Sequence, residues 1–223
     1  MKNVTLLLIL TMGVLIAFTS CAREDEIIIE TGNFSDSRDG QAYKWVKIGN
    51  QIWMAENLKF LPGVVGSAIY SDTVSYYYVY DYEGTDADAA KANANYQTYG
   101  ALYNWTASLN ACPPDWHLPT FEEWMQLINY IGKNPAAKLK ARTEWYDNGN
   151  GQDDYGFTAL PGGGCFQGNL PKFSLLGHYG NWWVVDEIEE LRAGYVAMDA
   201  WGSNVGAGWG SKLNGLSVRC VKD

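Results

Sequence analysis

The chain has 223 residues, 47% of them apolar, and a formal net charge of −9. That length allows one domain with an appended arm. The acidic balance excludes the basic stripe that a nucleic-acid binder needs, and it excludes electrostatic docking to an anionic leaflet. The load of large rings, 10 Trp and 15 Tyr punctuated by 24 Gly, suits both a ring-filled core and a recognition surface.

In chain order, Lys2 supplies a positive start and Val4 to Phe18 an apolar run too short for a comfortable membrane span. Phe18-Thr19-Ser20-Cys21 resembles a bacterial lipobox, so residues 1–20 are expected to be a lipoprotein signal peptide and Cys21 the lipidated N-terminus. Several acyl chains on one cysteine anchor stably, where one binds marginally. Ala22 to Glu26 read either as the acidic export tether of Bacteroidetes-type surface lipoproteins or as a solvated linker. Residues 21–38 are taken as a flexible tether with at most one strand-like touch-down at Ile27 to Ile29. With Cys21 in the anchor, Cys112, Cys165 and Cys220 remain in an oxidising compartment. Pairing Cys112 with Cys220 would staple the chain end to the loop before the main helix, worth on the order of 4 kcal/mol. Cys165 is then expected as a buried, inert thiol.

The domain is expected over 39–223. Tyr43 to Ile48 and Gln51 to Met54 flank Gly49-Asn50 as a hairpin. The tyrosine-rich 66–99 segment reads as irregular and partly exposed. Tyr99 to Ala107 reads as a short helix. The strongest local signal is Thr120-Phe121-Glu122-Glu123, a capping box, followed by Trp124, Leu127, Ile128 and Ile131 on one stripe and a stop at Gly132. Pro135 to Arg142 predicts a second short helix. Asp147 to Asp154 is a polar turn cluster that lacks the spacing and closing Glu of an EF-hand. Beyond it, Phe157–Leu160, Trp182–Val185, Gly194–Asp199 and Ser217–Val221 predict short strands separated by glycine-rich loops, an α+β arrangement.

Six segments carry a family resemblance: YKWVKIGNQIWMAENL (43–58), YGALYNW (99–105), CPPDWHLPTFEEW (112–124), YGFTALPGG (155–163), Trp182-Trp183 and GLSVRCVKD (215–223). Together they resemble the Fibrobacter succinogenes major paralogous domain family. The LPT-x-x-EW core is also similar to formylglycine-generating enzymes and to C-type-lectin-like ligand-binding proteins. The resemblance implies a C-type-lectin-like fold: short helices on small antiparallel sheets, with long Gly/Trp-rich loops for a ligand. The chain departs from the family pattern at Gly164-Cys165-Phe166 and at Val184-Val185-Asp186. Those positions lie where a ligand would sit, so no family ligand is carried over.

Catalytic patterns are weak. The oxidase-type cysteine pair is missing, because Cys165 and Cys220 lie far apart in sequence. Of the two histidines, His117 is expected as a packed ring in the helix motif, and His178 lies on a loop. Asp186, Glu187, Glu189 and Glu190 read as a solvated edge, not a glycosidase pair. The tripeptides through which C-type lectins hold calcium and sugar do not occur, and neither a cofactor nor a metal is expected. What remains is recognition by rings beside polar groups: Trp182, Trp183, Trp201, Trp209, Tyr179 and Tyr195, with Asn181, Asn204, Asn214, Asp199, Asp186, Lys212 and His178. Of Trp182 and Trp183, one is expected inward and one outward; Trp201 and Trp209 are expected exposed. The expected role is a non-enzymatic, surface-exposed lipoprotein of the outer membrane that binds a protein or glycan. A structural subunit of a surface appendage is the alternative, and a glycan-active enzyme a third.

Overall fold

The computed structural model describes residues 29–168 and 172–223. The expected signal peptide and Cys21 lie outside them. In chain order the elements are β1 (Glu30–Ser35), β2 (Ala42–Ile48), β3 (Gln51–Met54), β4 (Tyr77–Tyr78), α1 (Ala87–Lys91), α2 (Ala94–Tyr99), β5 (Leu102–Tyr103), α3 (Trp105–Ser108), β6 (Trp116–His117), α4 (Phe121–Ile131), α5 (Pro135–Leu139), β7 (Gly162–Cys165), β8 (Phe173–Leu176), β9 (Tyr179–Glu189), β10 (Arg192–Asp199), β11 (Gly206–Ser211) and β12 (Val221–Lys222). The class is α+β, with short helices on small antiparallel sheets. One sheet has the order β1-β2-β3-β12-β6 and a second β11-β10-β9.

Helix α4 forms where its sequence places it. Thr120 Oγ1 accepts from Glu123 N–H, and Glu123 Oε2 accepts from Thr120 N–H, so the capping box closes in both directions. A third orphan donor, Phe121 N–H, is taken by Asp186 Oδ2 at 2.8 Å. Gly132, at φ +73°, ends the helix. Trp124, Leu127 and Ile131 face inward. The β2–β3 hairpin turns at Gly49, whose φ of +61° suits the first central position of a two-residue loop.

Several expectations need correction. The domain begins before residue 39: β1 pairs with β2 from Glu30↔Lys47 to Ser35↔Ala42. Asp36 is buried and ion-paired to Arg38, whose guanidinium also reaches Ala111 O. The stretch read as tether thus supplies an edge strand. Tyr99 to Ala107 is not one helix, because Gly100 at φ +79° ends α2 and Leu102-Tyr103 pairs with β4. Residues 157–160 form only an isolated bridge, Lys140↔Ala159. Two stretches read as glycine loops are strands, β7 and β11.

The C-terminal stretch joins the two larger sheets. Ser217 pairs with β9 through Trp183 N–H to Ser217 O and Ser217 N–H to Asn181 O. Val218 O and Cys220 O accept from Leu58 and Met54. The disulfide joins Cys112 to Cys220 across 108 residues, a loop closure worth about 4–5 kcal/mol against the unfolded chain. Cys165 is free and buried, and burial pushes its thiol up to about 12.

Between these strands lies a fully buried guanidinium, Arg219. It donates to Phe157 O, to Thr158 O at 3.1 Å and to Asn57 Oδ1 at 2.9 Å, and lies 4.3 Å above the Phe157 ring. Burial lowers its pKa to about 9, so it remains charged at neutral pH. Asn57 Oδ1 also accepts from Trp182 Nε1, and Asn57 Nδ2 donates to Tyr99 O. Losing this amide strands a buried charge and an indole N–H. Asn57→Ala is expected to cost about 3 kcal/mol, read as a fall in the urea midpoint, and a loss below about 1 kcal/mol would contradict the knot.

His117 ties the N-terminal end of α4 to the chain end at Asp223. Burial alone would lower its pKa, but Glu123 (2.7 Å from Nε2) and Asp223 (2.5 Å from Nδ1) outweigh it, and the pKa is raised. A raised folded-state pKa gives stability that is complete below the unfolded value near 6.5 and is lost as pH climbs through the folded one. The wild-type urea midpoint should therefore drop between about pH 6 and about pH 9 by more than that of His117→Gln. Parallel profiles would contradict the assignment.

Candidate functional site

The three-stranded sheet has two faces with different fates. On one, Trp182, Val184, Val196 and Met198 pack with Trp124 and Leu127 of α4. On the other, Trp183 packs with Tyr103, Trp105 and Leu216 and donates its indole N–H to Tyr103 O at 2.7 Å. Neighbours on the strand do point to opposite sides. Both sides are covered, so Trp182 and Trp183 are both fully buried. The expectation that one of them faces outward is corrected, and Trp183 is removed from the ligand contacts.

Further along the Trp183 face the sheet opens. Register places Tyr179, Asn181, Tyr195 and Ala197 on that side, opposite Gly206, Gly208 and Gly210 of β11. With no side chains on that face of β11, the Tyr195 ring can pack over it. A Cβ at Gly208 would meet Tyr195 Oη at 3.0 Å, and one at Gly210 would meet its Cδ1 at 3.3 Å. Above this floor is a cavity of about 290 Å³, walled by Phe166, Leu175, Asn214 and Leu216. Asn214 Oδ1 accepts from Gln167 N–H, and Asn181 Nδ2 donates to Gly163 O.

Tyr179 belongs both to this cavity and to an aromatic ridge beside it. Its ring meets Trp201 edge-on at 6.2 Å; Trp201 stacks on His178 at 5.5 Å, and His178 meets Tyr146 at 4.4 Å. Trp201 is 62% exposed and Tyr146 55%. Trp201 stands on a tied turn. Asp199 Oδ1 accepts from the N–H groups of Trp201 and Gly202, and Lys140 Nζ donates to Asp199 O and Gly202 O, each at 3.1 Å. Lys140 is almost fully buried, and burial lowers its pKa.

Of the residues expected to meet a ligand, Trp201, His178, Tyr179 and Asn214 are brought together along this tract. Trp209 borders the cavity, but its ring packs edge-on against Phe121 at 5.2 Å and is half-buried, not exposed as expected. Three polar residues prove structural. Lys212 is buried, ion-paired to Glu187 at 2.6 Å and 4.2 Å above the Trp105 ring. Asp186 caps α4. Asp199 builds the Trp201 turn. Asn204 is exposed on the following turn, which Ala136 N–H ties to α5 through Ser203 O. Tyr146 was not expected; the signal for it was a large ring directly before the Asp147-Asn148-Gly149 turn. In that turn cluster, Asn150 Oδ1 accepts from Trp145 N–H and Asp153 holds Thr158. Among the described residues no group of three His, Cys, Asp or Glu side chains is arranged to hold a metal ion.

No curated protein and no solved structure matches the chain. Residues 46–222 match the Fibrobacter succinogenes major domain. The match takes in most of the helices and strands described above, the disulfide, the buried Arg219 and the aromatic tract, and the chain belongs to that family.

Proposed function

We propose that the chain is a lipid-anchored, non-enzymatic recognition protein of the outer membrane surface, with a C-type-lectin-like domain that grips a protein or glycan through the 165–214 region and the adjoining Tyr146. One observation carries the reading: Trp201 is a largely exposed indole on a turn fastened from beneath by the buried amine of Lys140. Exposed aromatic rings are costly to keep in water and valuable at an interface. A ring already fixed in place loses little entropy on binding. His178 and Tyr179 brace it, and Tyr146 extends the same apolar ridge.

Three of the groups that could serve catalysis have other work. His117 is held between two carboxylates, Asp186 caps a helix and Glu187 pairs with Lys212. The anchor rests on the lipobox around Cys21, and no described helix is long and apolar enough to cross a membrane. A role in assembly finds support in β11, an edge strand without charge or proline to discourage pairing.

Trp201→Ala and Tyr146→Ala should each weaken capture of the surface partner roughly tenfold or more with the melting temperature unchanged. The measurement is binding of the purified chain to arrays of glycans and surface proteins. Undiminished capture by both variants would remove the ridge from the binding surface. Mass spectrometry of the N-terminal peptide should find acyl chains on Cys21, and a free thiol there would end the anchoring proposal.

A further inference from the structure

We infer that the cavity floored by Tyr195 is a calcium-independent subsite for one neutral sugar ring, with the Trp201 ridge carrying the rest of the glycan. The inference rests on the recognition role proposed above and narrows its ligand.

The chemistry of the lining selects the ligand. Every residue lining the cavity is uncharged, although the chain as a whole carries −9. An acidic or cationic ligand would find no counter-charge there and would lose its hydration without compensation. The apolar part of the lining includes the rings of Phe166, Tyr179 and Tyr195. The Tyr195 ring packs against Gly208 and Gly210 of β11, and the C–H face of a pyranose can lie on such a ring. Polar groups stand beside it with capacity to spare. Asn181 is only 5% exposed, and its carbonyl oxygen makes no hydrogen bond among the described residues. Asn214 uses its oxygen on Gln167 N–H, and its NH₂ likewise has no partner among the described residues. A carbonyl acceptor and an amide donor flanking an aromatic floor match the alternating donors and acceptors of sugar hydroxyls, and buried polar groups left unmatched are expensive.

Size sets the length. At about 290 Å³ the cavity lies at the lower bound of small-molecule sites, which suits one ring and not a chain. Tyr179 lines the cavity and touches Trp201, so a sugar chain leaving the subsite would run onto the ridge. No step needs a metal, since both hydroxyl-reading groups are side-chain amides.

The test is saturation-transfer NMR and calorimetry on the full-length chain, in excess EDTA. The probes are glucose, galactose, mannose and N-acetylglucosamine, with glucuronic acid as the charged control. At least one neutral sugar should bind and glucuronic acid should not. Ala197→Leu, which places a larger side chain in the cavity from the strand beside Tyr195, should weaken that sugar at least tenfold. Asn214→Ala should do so several-fold, and it guards against misfolding of the first variant. Trp201→Ala should leave the single sugar within twofold while weakening a longer glycan ending in it. Binding of no neutral sugar, equal binding of glucuronic acid, or binding that survives both cavity variants would overturn the subsite. If a surface partner is still captured in a Trp201-dependent way while no sugar binds, the recognition role stands and only the subsite falls. If neither binds, both fall.

Discussion

A fully buried guanidinium that makes no ion-pair contact among the described residues is an expensive thing to fold around, and Arg219 is placed so that the C-terminal stretch has one position open to it. Its charge is spread over two backbone carbonyls, the Asn57 oxygen and the faces of Phe157 and Trp182. Those partners come from three parts of the chain: Asn57, Phe157-Thr158 and Trp182. Moving any one of them leaves a buried donor unpaired, at the full desolvation penalty. The disulfide one residue on, at Cys220, and the Ser217 pairing two residues before, fix the same stretch against the Cys112 loop and β9. The two larger sheets and α4 are thereby held around a common seam, and both core clusters close on it.

That rigidity is what gives the aromatic tract its meaning. The sheet β11-β10-β9 is filled on both faces near the seam and opens beside Tyr179 and Ala197, where Gly206, Gly208 and Gly210 of β11 bring no side chain to that face. A ring can then lie flat as a floor, and the adjoining turn raises an indole into water. Lys140, almost fully buried, devotes its amine to holding that turn by two carbonyls. A buried amine costs desolvation that a merely structural loop would avoid with a neutral residue. Lys212 is a second buried amine, held between Glu187 and the Trp105 ring near the turn of the β9–β10 hairpin.

Local rules carried the sequence a long way. The capping box, the α4 stripe and the Gly49-Asn50 hairpin were legible because each is decided by residues within a few positions, and the Cys112–Cys220 bridge because it would staple the chain end to the loop before α4. What failed was whatever depends on the third dimension. Trp183 looked like a half-exposed strand residue, since periodicity reports which face a side chain takes and not whether something covers that face. Gly206 to Gly210 looked like a loop, since glycine is poor strand material until a neighbour such as Tyr195 needs the space. Lys212, Asp186 and Asp199 looked like ligand-reading groups, but Lys212 pairs with Glu187 and Asp186 with the Phe121 amide, both distant in sequence, and the Asp199 carboxylate is taken up by its own turn at Trp201 and Gly202. Tyr146 was passed over because its importance lies in stacking on His178, more than thirty residues on.

The most direct measurement is fluorine NMR of the chain labelled with 5-fluorotryptophan, titrated with fractions of envelope glycan and surface protein. Ten indoles report at once, and Trp201 is the exposed one among them. The resonance of Trp201 should move or broaden on binding while those of Trp53, Trp124, Trp182 and Trp183 stay fixed. A response confined to other indoles, with Trp201 unmoved at saturation, would place recognition elsewhere on the molecule and contradict the role given to the ridge.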